Sequence, residues 1–250
     1  SIKPNRFGLD TNHRLEMALH SIEKNHSDAS FITITGDLAN SGKEGSYIEL
    51  KKLLDDFKIP VHLILGNHDN KEVFNQFFDL CKKEKYVQYV EKYEKKVFIF
   101  LDTRIDNEEF GTLCQERLNW LKKQLDKSKN KNVYLFMHHF PLKSQLPWME
   151  KNAPYKNKKE FWDLISKYSN VKHIFTGHLH RIINANYKGV GVSTTRSTNF
   201  QVAYTPNSDE DYLTTEEKPM YSVVTLEDDL TFIHNHEFLS EEMIYIPNEY

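Results

Sequence analysis

The sequence predicts one α/β domain. Over its first two thirds, short apolar strands alternate with amphipathic helices, and over its last third strands predominate. Its 250 residues are enough to bury one substantial core, and no linker or internal repeat divides them. Because alternating strands and helices favour a largely parallel central sheet, we predict a single domain over residues 1–250 with a strand-rich part at 205–250.

Helices are predicted where apolar residues recur at the helical period. They cover residues 13–26, 44–57, 71–79, 115–128 and 158–168. The helix at 13–26 is expected to begin after an N-cap at Thr11 or Asn12. Residues 142–157 have no clear period, which predicts a long loop near the functional site.

Strands are predicted where short β-branched or aromatic runs lie between turn residues. They cover residues 31–35, 61–65, 86–90, 97–101, 133–137, 172–176, 182–187, 190–194, 200–204, 221–226 and 230–236. The polar stretch 205–219 is expected to form a loop.

Four of the predicted strands end in polar side chains. The four motifs are Gly36-Asp37, Gly66-Asn67-His68-Asp69, His138-His139 and Gly177-His178-Leu179-His180. Ligands of open α/β sheets bind outside the carboxyl ends of the strands, so we expect these motifs to converge on one crevice. Carboxylate, amide and imidazole ligands suit Mn²⁺, Fe or Zn²⁺ better than Ca²⁺. The motifs therefore predict a site for two divalent or trivalent metal ions.

Composition excludes some partners. A net charge of −3 provides no basic surface, so no nucleic-acid partner is expected. No apolar run has the length of a membrane span, and the 2 cysteines cannot form a disulfide framework. We predict a cytoplasmic protein, with a leader before the present start left open. The sequence is compatible with a homodimer but does not require one.

Taken together, the motifs resemble those of the calcineurin-like metallophosphoesterases. Further runs resemble the bacterial class III 3′,5′-cyclic-nucleotide phosphodiesterases: Leu101-Asp102-Thr103, the series Gly111, Leu113, Gln115, Leu118, Trp120 and Leu121, then His138-His139-Phe140-Pro141 with Trp148, and residues 195–201. The resemblance covers about residues 6 to 204. It implies a four-layer α/β/β/α sandwich and a small-molecule phosphodiester substrate.

The resemblance also implies a set of metal ligands. Asp37 would bridge the two ions, and Asn67, His138 and His178 would complete the shell of the second. His180 would remain, with Asp37, in the shell of the first.

The other motif residues would act around the metals. His68 would lie over the scissile phosphoryl group, where it could donate a proton to the leaving oxygen or stabilise charge. Asp69 would either orient His68 or make structural hydrogen bonds. His139 is expected to support a metal-bound imidazole, and Asp102 to be structural.

One family motif, an Asp-x-His at the end of the first strand, does not occur before the helix at 13–26. The sequence Asp10-Thr11-Asn12-His13 has the wrong spacing to replace it. Either the sequence begins just after that motif or the protein lacks it. We expect the former, because residues 1–8 read as the loop that follows the motif.

The reaction implied is metal-assisted hydrolysis of a phosphodiester. A metal-bridging hydroxide would attack phosphorus, and a 3′,5′-cyclic nucleotide would give the 5′-monophosphate. Two alternatives stay open at this point. One is a phosphoesterase for another small substrate, such as a glycerophosphodiester or a nucleotide-linked pyrophosphate. The other is a non-catalytic scaffold that retains the fold, which only the missing motif supports.

Overall fold

The computed structural model describes residues 9–209 and 212–239. The predictions made for residues 1–8 and 240–250 lie outside this range. The helices are α1 (Thr11–Asn25), α2 (Glu44–Asp55), α3 (Lys71–Phe77), α4 (Gln115–Lys127), α5 (Pro147–Asn152) and α6 (Lys158–Ile165). The strands are β1 (Ile32–Ile34), β2 (Val61–Leu63), β3 (Tyr89–Tyr93), β4 (Lys96–Leu101), β5 (Asn132–Met137), β6 (Val171–Thr176), β7 (Ile183–Tyr187), β8 (Val190–Thr194), β9 (Gln201–Val202), β10 (Thr214–Thr215), β11 (Met220–Leu226) and β12 (Thr231–Glu237).

The largest sheet has six strands in the order β3-β4-β5-β6-β8-β7. Its four central strands pair in parallel, and β3 and β7 add antiparallel edges. Parallel strands end at the same side of a sheet. The residues that follow β4, β5 and β6 therefore lie side by side, and they include Asp102, His138 and His178.

Alternating side chains of β4 separate two cores. Val97, Ile99 and Leu101 pack with residues of α4 and α6. Phe98 and Phe100 face the opposite side, where they meet β1 and the β11–β12 hairpin. A third cluster places α2 and α3 on the outer side of β2. The order of layers is thus helices, large sheet, small sheets and helices, which confirms the predicted α/β/β/α sandwich.

A cavity of about 1460 Å³ separates the β1–β2 sheet from the β11–β12 hairpin. Its walls include residues 31–35 of the β1 segment and residues 221–226 of β11. In the described part of the chain, β1 pairs with β2 alone and β11 with β12 alone. We call this space the inter-sheet slot. One of its ends lies at the strand-end motifs Asp37 and His138.

Several local predictions were wrong. Helix α1 is capped by Asp10, whose Oδ1 accepts hydrogen bonds from the backbone N–H groups of Asn12 (3.1 Å) and His13 (3.0 Å), rather than by Thr11 or Asn12. The stretch 142–157 is not a continuous loop, because it contains α5 with Pro147 in its first turn.

One strand prediction and one loop prediction were also wrong. Strand β3 runs from Tyr89 to Tyr93 rather than over 86–90, because it pairs with β4 across a two-residue turn in which Glu94 has φ 52°. Residues 205–219 include β10, which pairs with β9. None of the described helices has the length and apolar character needed to cross a bilayer.

Candidate metal centre

The ends of β1, β2, β5 and β6 converge at one end of the inter-sheet slot. The slot is lined there by all five residues predicted to bind metal, namely Asp37, Asn67, His138, His178 and His180. His68 lines the same region. Side chains from four strand ends in two different sheets therefore face one space.

His138 is at the centre of the donor cluster. Its Nδ1–H donates to the carbonyl oxygen of Thr35 (2.7 Å), which directs Nε2 towards Oδ1 of Asn67 (3.1 Å) and Oδ2 of Asp37 (3.3 Å). Ligand atoms that share one ion lie about 3 Å apart when each metal bond is about 2.1 Å and the angle between bonds is near 90°. The two distances measured from Nε2 of His138 are therefore those expected of ligand atoms that share one metal ion.

The two histidines of the last motif are each held by one ring nitrogen. Nε2–H of His178 donates to the carbonyl of Ala153 (2.9 Å), and Nδ1–H of His180 donates to that of Phe200 (3.0 Å). Burial lowers the pKa of His178 to about 3 and that of His180 to about 4. Both imidazoles are therefore neutral at pH 7, so the opposite nitrogen of each can bind a metal.

Asp37 and His138 form the charged pair of the site. Burial alone would raise the pKa of Asp37, but the attraction of His138 outweighs it and holds this pKa well below its usual range. Burial would lower the pKa of His138, and the Asp37 carboxylate raises it instead. The carboxylate is thus ionised and needs a positive partner, which a metal ion can provide in place of the imidazole proton.

The backbone of the site is strained. Asp37 (φ 55°), His178 (φ 66°) and His180 (φ 47°) adopt left-handed conformations, which cost about 1–2 kcal/mol for a non-glycine residue. Gly66 permits a close approach, because an added Cβ would lie 2.1 Å from Oδ1 of Asp37. Strain concentrated on three candidate ligands indicates that their directions matter more than local stability.

His139 supports the cluster without a free ring nitrogen. Its ligand atoms lie within 4.8 Å of those of His138 and His178, so proximity alone would admit it as a ligand. However, Nδ1 lies 2.8 Å from the Thr103 hydroxyl, and Nε2 lies 3.2 Å from the carbonyl of Glu109. With both nitrogens engaged, His139 fits the supporting role predicted from the sequence.

Asp69 connects the two loops that carry Asp37 and Asn67. Its carboxylate accepts hydrogen bonds between 2.8 and 3.0 Å from the backbone N–H groups of Leu38, Ala39 and Gly66 and from the Tyr47 hydroxyl. Burial, with the nearby Asp37, raises the pKa of Asp69 to about 6. These contacts favour the structural alternative for Asp69 over a role in orienting His68. Its catalytic assignment stays a prediction.

His68 stands at the open side of the site. Its backbone N–H donates to Oδ1 of Asp37 (3.1 Å), and its side chain is 42% exposed. Nε2 of His68 lies 4.0 Å from Oε2 of Glu109, which also accepts a hydrogen bond from Nδ2 of Asn67 (2.5 Å). Glu109 is not recognisable from the sequence, because it lies in a polar loop without a motif of its own.

Asp102 is structural, as expected. Its carboxylate accepts hydrogen bonds from the backbone N–H groups of Val87 (3.1 Å) and Arg104 (3.0 Å). The buried guanidinium of Arg117 lies 3.9 Å from it and donates to the backbone carbonyls of Asp102 and Arg104. These bonds hold the loop that carries Glu109.

An α/β/β/α sandwich with carboxylate, amide and imidazole donors at four strand ends defines the class of metal-dependent phosphoester hydrolases. The sequence model of the calcineurin-like phosphoesterase family matches residues 10–181. The chain belongs to this family.

Individual relatives and structures agree with this family. A probable cyclic nucleotide phosphodiesterase of Rhodopseudomonas palustris is 31% identical over 96% of this chain and 89% of its own length. A probable glycerophosphodiester phosphodiesterase of Arcobacter nitrofigilis is 32% identical over 69% of this chain and 64% of its own length. The crystal structure of a dimetal phosphatase from Danio rerio superposes with a TM-score of 0.66 and 14% identity over 91% of this chain and 87% of that one. The last similarity supports the fold.

Proposed function

We propose that the chain hydrolyses a 3′,5′-cyclic nucleotide to the 5′-monophosphate. The observation that carries the proposal is the donor cluster around His138, in which Nε2 lies 3.1 Å from Oδ1 of Asn67 and 3.3 Å from Oδ2 of Asp37. The family supports phosphoester hydrolysis, and the similarity to the probable cyclic nucleotide phosphodiesterase of Rhodopseudomonas palustris supports a cyclic nucleotide as the substrate.

We propose that the site binds two metal ions, which are Mn²⁺, Fe or Zn²⁺. Asp37, Asn67, His138 and His178 would hold one of them, and Asp37 and His180 would contribute to the other. When bound, such ions supply Lewis acidity and an activated water. The neutral imidazoles and the ionised Asp37 suit this role, because both are ready to coordinate at pH 7.

His68 is proposed to act on the leaving group. It is held at the site by its backbone bond to Asp37, while its ring remains exposed enough to meet a substrate. From there it would donate a proton to the departing ribose 3′ oxygen or stabilise charge on the phosphoryl oxygens.

We further propose that a strand carrying Asp-x-His fills the inter-sheet slot and completes the first metal's ligands. Three observations support it. The facing edges of β1 and β11 lack strand partners in the described chain. The slot between them has apolar walls that include Phe31, Phe98 and Phe136. Its end lies at Asp37 and His138, where a strand parallel to β1 would place its last residues.

The test is release of 5′-AMP from 3′,5′-cyclic AMP with added Mn²⁺. The present chain is compared with a longer form that includes an N-terminal strand ending in Asp-x-His, and the His178→Ala variant of each serves as a control. Activity of the longer form, lost in its variant, supports both proposals. Metal binding without release of 5′-AMP would contradict the cyclic-nucleotide proposal, and absence of both activity and metal would favour a scaffold.

A second candidate substrate is a glycerophosphodiester, which the similarity to the probable glycerophosphodiester phosphodiesterase of Arcobacter nitrofigilis favours. The same assay with glycerophosphoethanolamine decides between the two by comparing kcat/KM values. Homodimer formation and a cytoplasmic location stay predictions, to be checked by analytical ultracentrifugation and by cell fractionation.

A further inference from the structure

Glu109 places a negative charge at the mouth of the candidate site. It lies in the loop between β4 and α4 and lines the cavity. Its Oε2 accepts a hydrogen bond from Nδ2 of Asn67 (2.5 Å) and lies 4.0 Å from Nε2 of His68. The side chain is 62% exposed, so it faces both the site and the solvent.

The other carboxylates of the cavity are differently placed. Those among the described lining residues are Asp28, Asp37, Glu94 and Glu109. Asp28 precedes β1 and Glu94 precedes β4, which puts both at the amino ends of strands, away from the motifs. Asp37 belongs to the ligand cluster. Glu109 is therefore the carboxylate that a substrate beside His68 would meet first.

We propose that Glu109 determines specificity, by selecting monoanionic phosphodiesters over dianionic phosphomonoesters. This selectivity rests on the proposed function, because it concerns the phosphoryl group expected beside His68. A phosphodiester carries one negative charge, whereas a phosphomonoester carries nearly two at pH 7, since its second pKa is about 6. A fixed carboxylate within a few ångströms repels the doubly charged group more strongly.

The exposure of Glu109 sets the size of this effect. Two unit charges about 4 Å apart in water interact by about 1 kcal/mol, which is a factor of about five in an equilibrium constant. This factor grows as water is excluded from between the charges. We therefore expect a threefold to tenfold discrimination. The same repulsion acts on the 5′-monophosphate product, whose release Glu109 would assist.

The test uses Glu109→Gln, which removes the charge but keeps an oxygen that can accept the Asn67 hydrogen bond. The kcat/KM for p-nitrophenyl phosphate should rise threefold to tenfold relative to that for bis(p-nitrophenyl) phosphate. The gain should shrink at high salt, because an exposed charge is screened. Glu108→Gln is the matched control, since Glu108 lies in the same loop but not among the described cavity-lining residues, and its ratio should not change.

An unchanged ratio in an active Glu109→Gln enzyme would overturn the proposed selectivity. Equal loss of both activities together with loss of bound metal would also overturn it, since Glu109 would then only position Asn67. Binding of inorganic phosphate to the Mn²⁺-loaded protein gives a second readout that does not need turnover. Tighter phosphate binding by Glu109→Gln is expected, and equal binding would refute the selectivity. Lack of hydrolysis of either ester by the longer form that includes the Asp-x-His strand would count against the proposed function alone.

Discussion

Nε2 of His138 lies 3.3 Å from Oδ2 of Asp37, and this contact joins two different sheets. Asp37 follows β1 of a small sheet, whereas His138 follows β5 of the large one. Thr35, two residues before Asp37, strengthens the connection because its carbonyl oxygen accepts a hydrogen bond from Nδ1 of His138. A metal ion bound by both side chains would therefore hold the two sheets together as well as bind substrate.

Metal binding should stabilise the folded chain. Mn²⁺ at about 100 times its Kd is expected to raise the free energy of unfolding by about 2.7 kcal/mol, because it binds the assembled ligands only in the native state. Urea denaturation with and without Mn²⁺ measures the difference. His178→Ala should lose most of this gain, whereas His234→Ala, at an exposed position in β12, should keep it. Equal gains in the two variants would contradict the ligand assignment.

Gly66→Ala should disrupt the site by steric overlap. The added methyl group would lie 2.1 Å from Oδ1 of Asp37 and 2.4 Å from its backbone nitrogen, so the Asp37 carboxylate must move. We expect a stability loss of about 1–3 kcal/mol together with loss of bound metal. Gly189→Ala is the control, because it has φ +82° and no atom within 4 Å of the new Cβ. It should cost about 1–2 kcal/mol but leave the metal content, measured by mass spectrometry, unchanged.

Acid should destabilise the protein through histidines that are buried in the neutral form. His173 in β6 stacks on Phe175 at 4.4 Å and lies 2.9 Å from the Ser193 hydroxyl. Burial lowers its pKa from 6.5 to about 4. Neutral His173 therefore contributes fully to the stability of the fold above pH 6.5. This contribution is lost as the pH falls towards 4, because the His173 imidazole is protonated in the unfolded chain at a higher pH than in the folded chain.

For His173 alone, we expect a loss of about 2 kcal/mol between neutral pH and pH 5. Denaturant titrations at several pH values should give a shallower pH dependence for His173→Gln than for the wild type. Identical slopes in the two proteins would contradict a lowered pKa of His173.

The two cysteines should differ in reactivity. Burial raises the pKa of Cys114, but the Tyr86 hydroxyl, 3.4 Å from Sγ, and the Arg117 guanidinium outweigh this and lower it to about 7. Burial raises the pKa of Cys81 above its usual value. Alkylation by iodoacetamide, followed by peptide mass spectrometry, should modify Cys114 half-maximally near pH 7 and Cys81 only at higher pH. Tyr86→Phe should shift the Cys114 midpoint upward, and an unchanged midpoint would exclude a role for Tyr86.

The sequence was sufficient to predict the strand-end residues because they follow contiguous apolar runs. The runs before Asp37, Asn67, His138 and His178 can be recognised without tertiary information, and parallel pairing then brings their ends together. The layer order was implied by the family resemblance.

Contacts between distant loops could not be predicted in the same way. The position of Glu109 beside Asn67 depends on a loop whose course is fixed by the bonds of Arg117 to backbone carbonyls. The structural bonds of Asp69 likewise involve Tyr47 and Ala39, which no local pattern relates to it. The caps and short strands that were predicted wrongly depend on single hydrogen bonds or on pairing with a neighbour.

The inter-sheet slot also has a consequence for handling the protein. Unpaired strand edges offer rows of backbone donors and acceptors to other chains. Within residues 9–209 and 212–239, β1 and β11 each have an edge without a strand partner beside the apolar walls of the slot. Copies in which the slot stays open should associate edge to edge and precipitate as concentration rises. Copies in which a strand fills it should stay dispersed. Light scattering during concentration would then report whether the slot is filled before any catalytic assay is attempted.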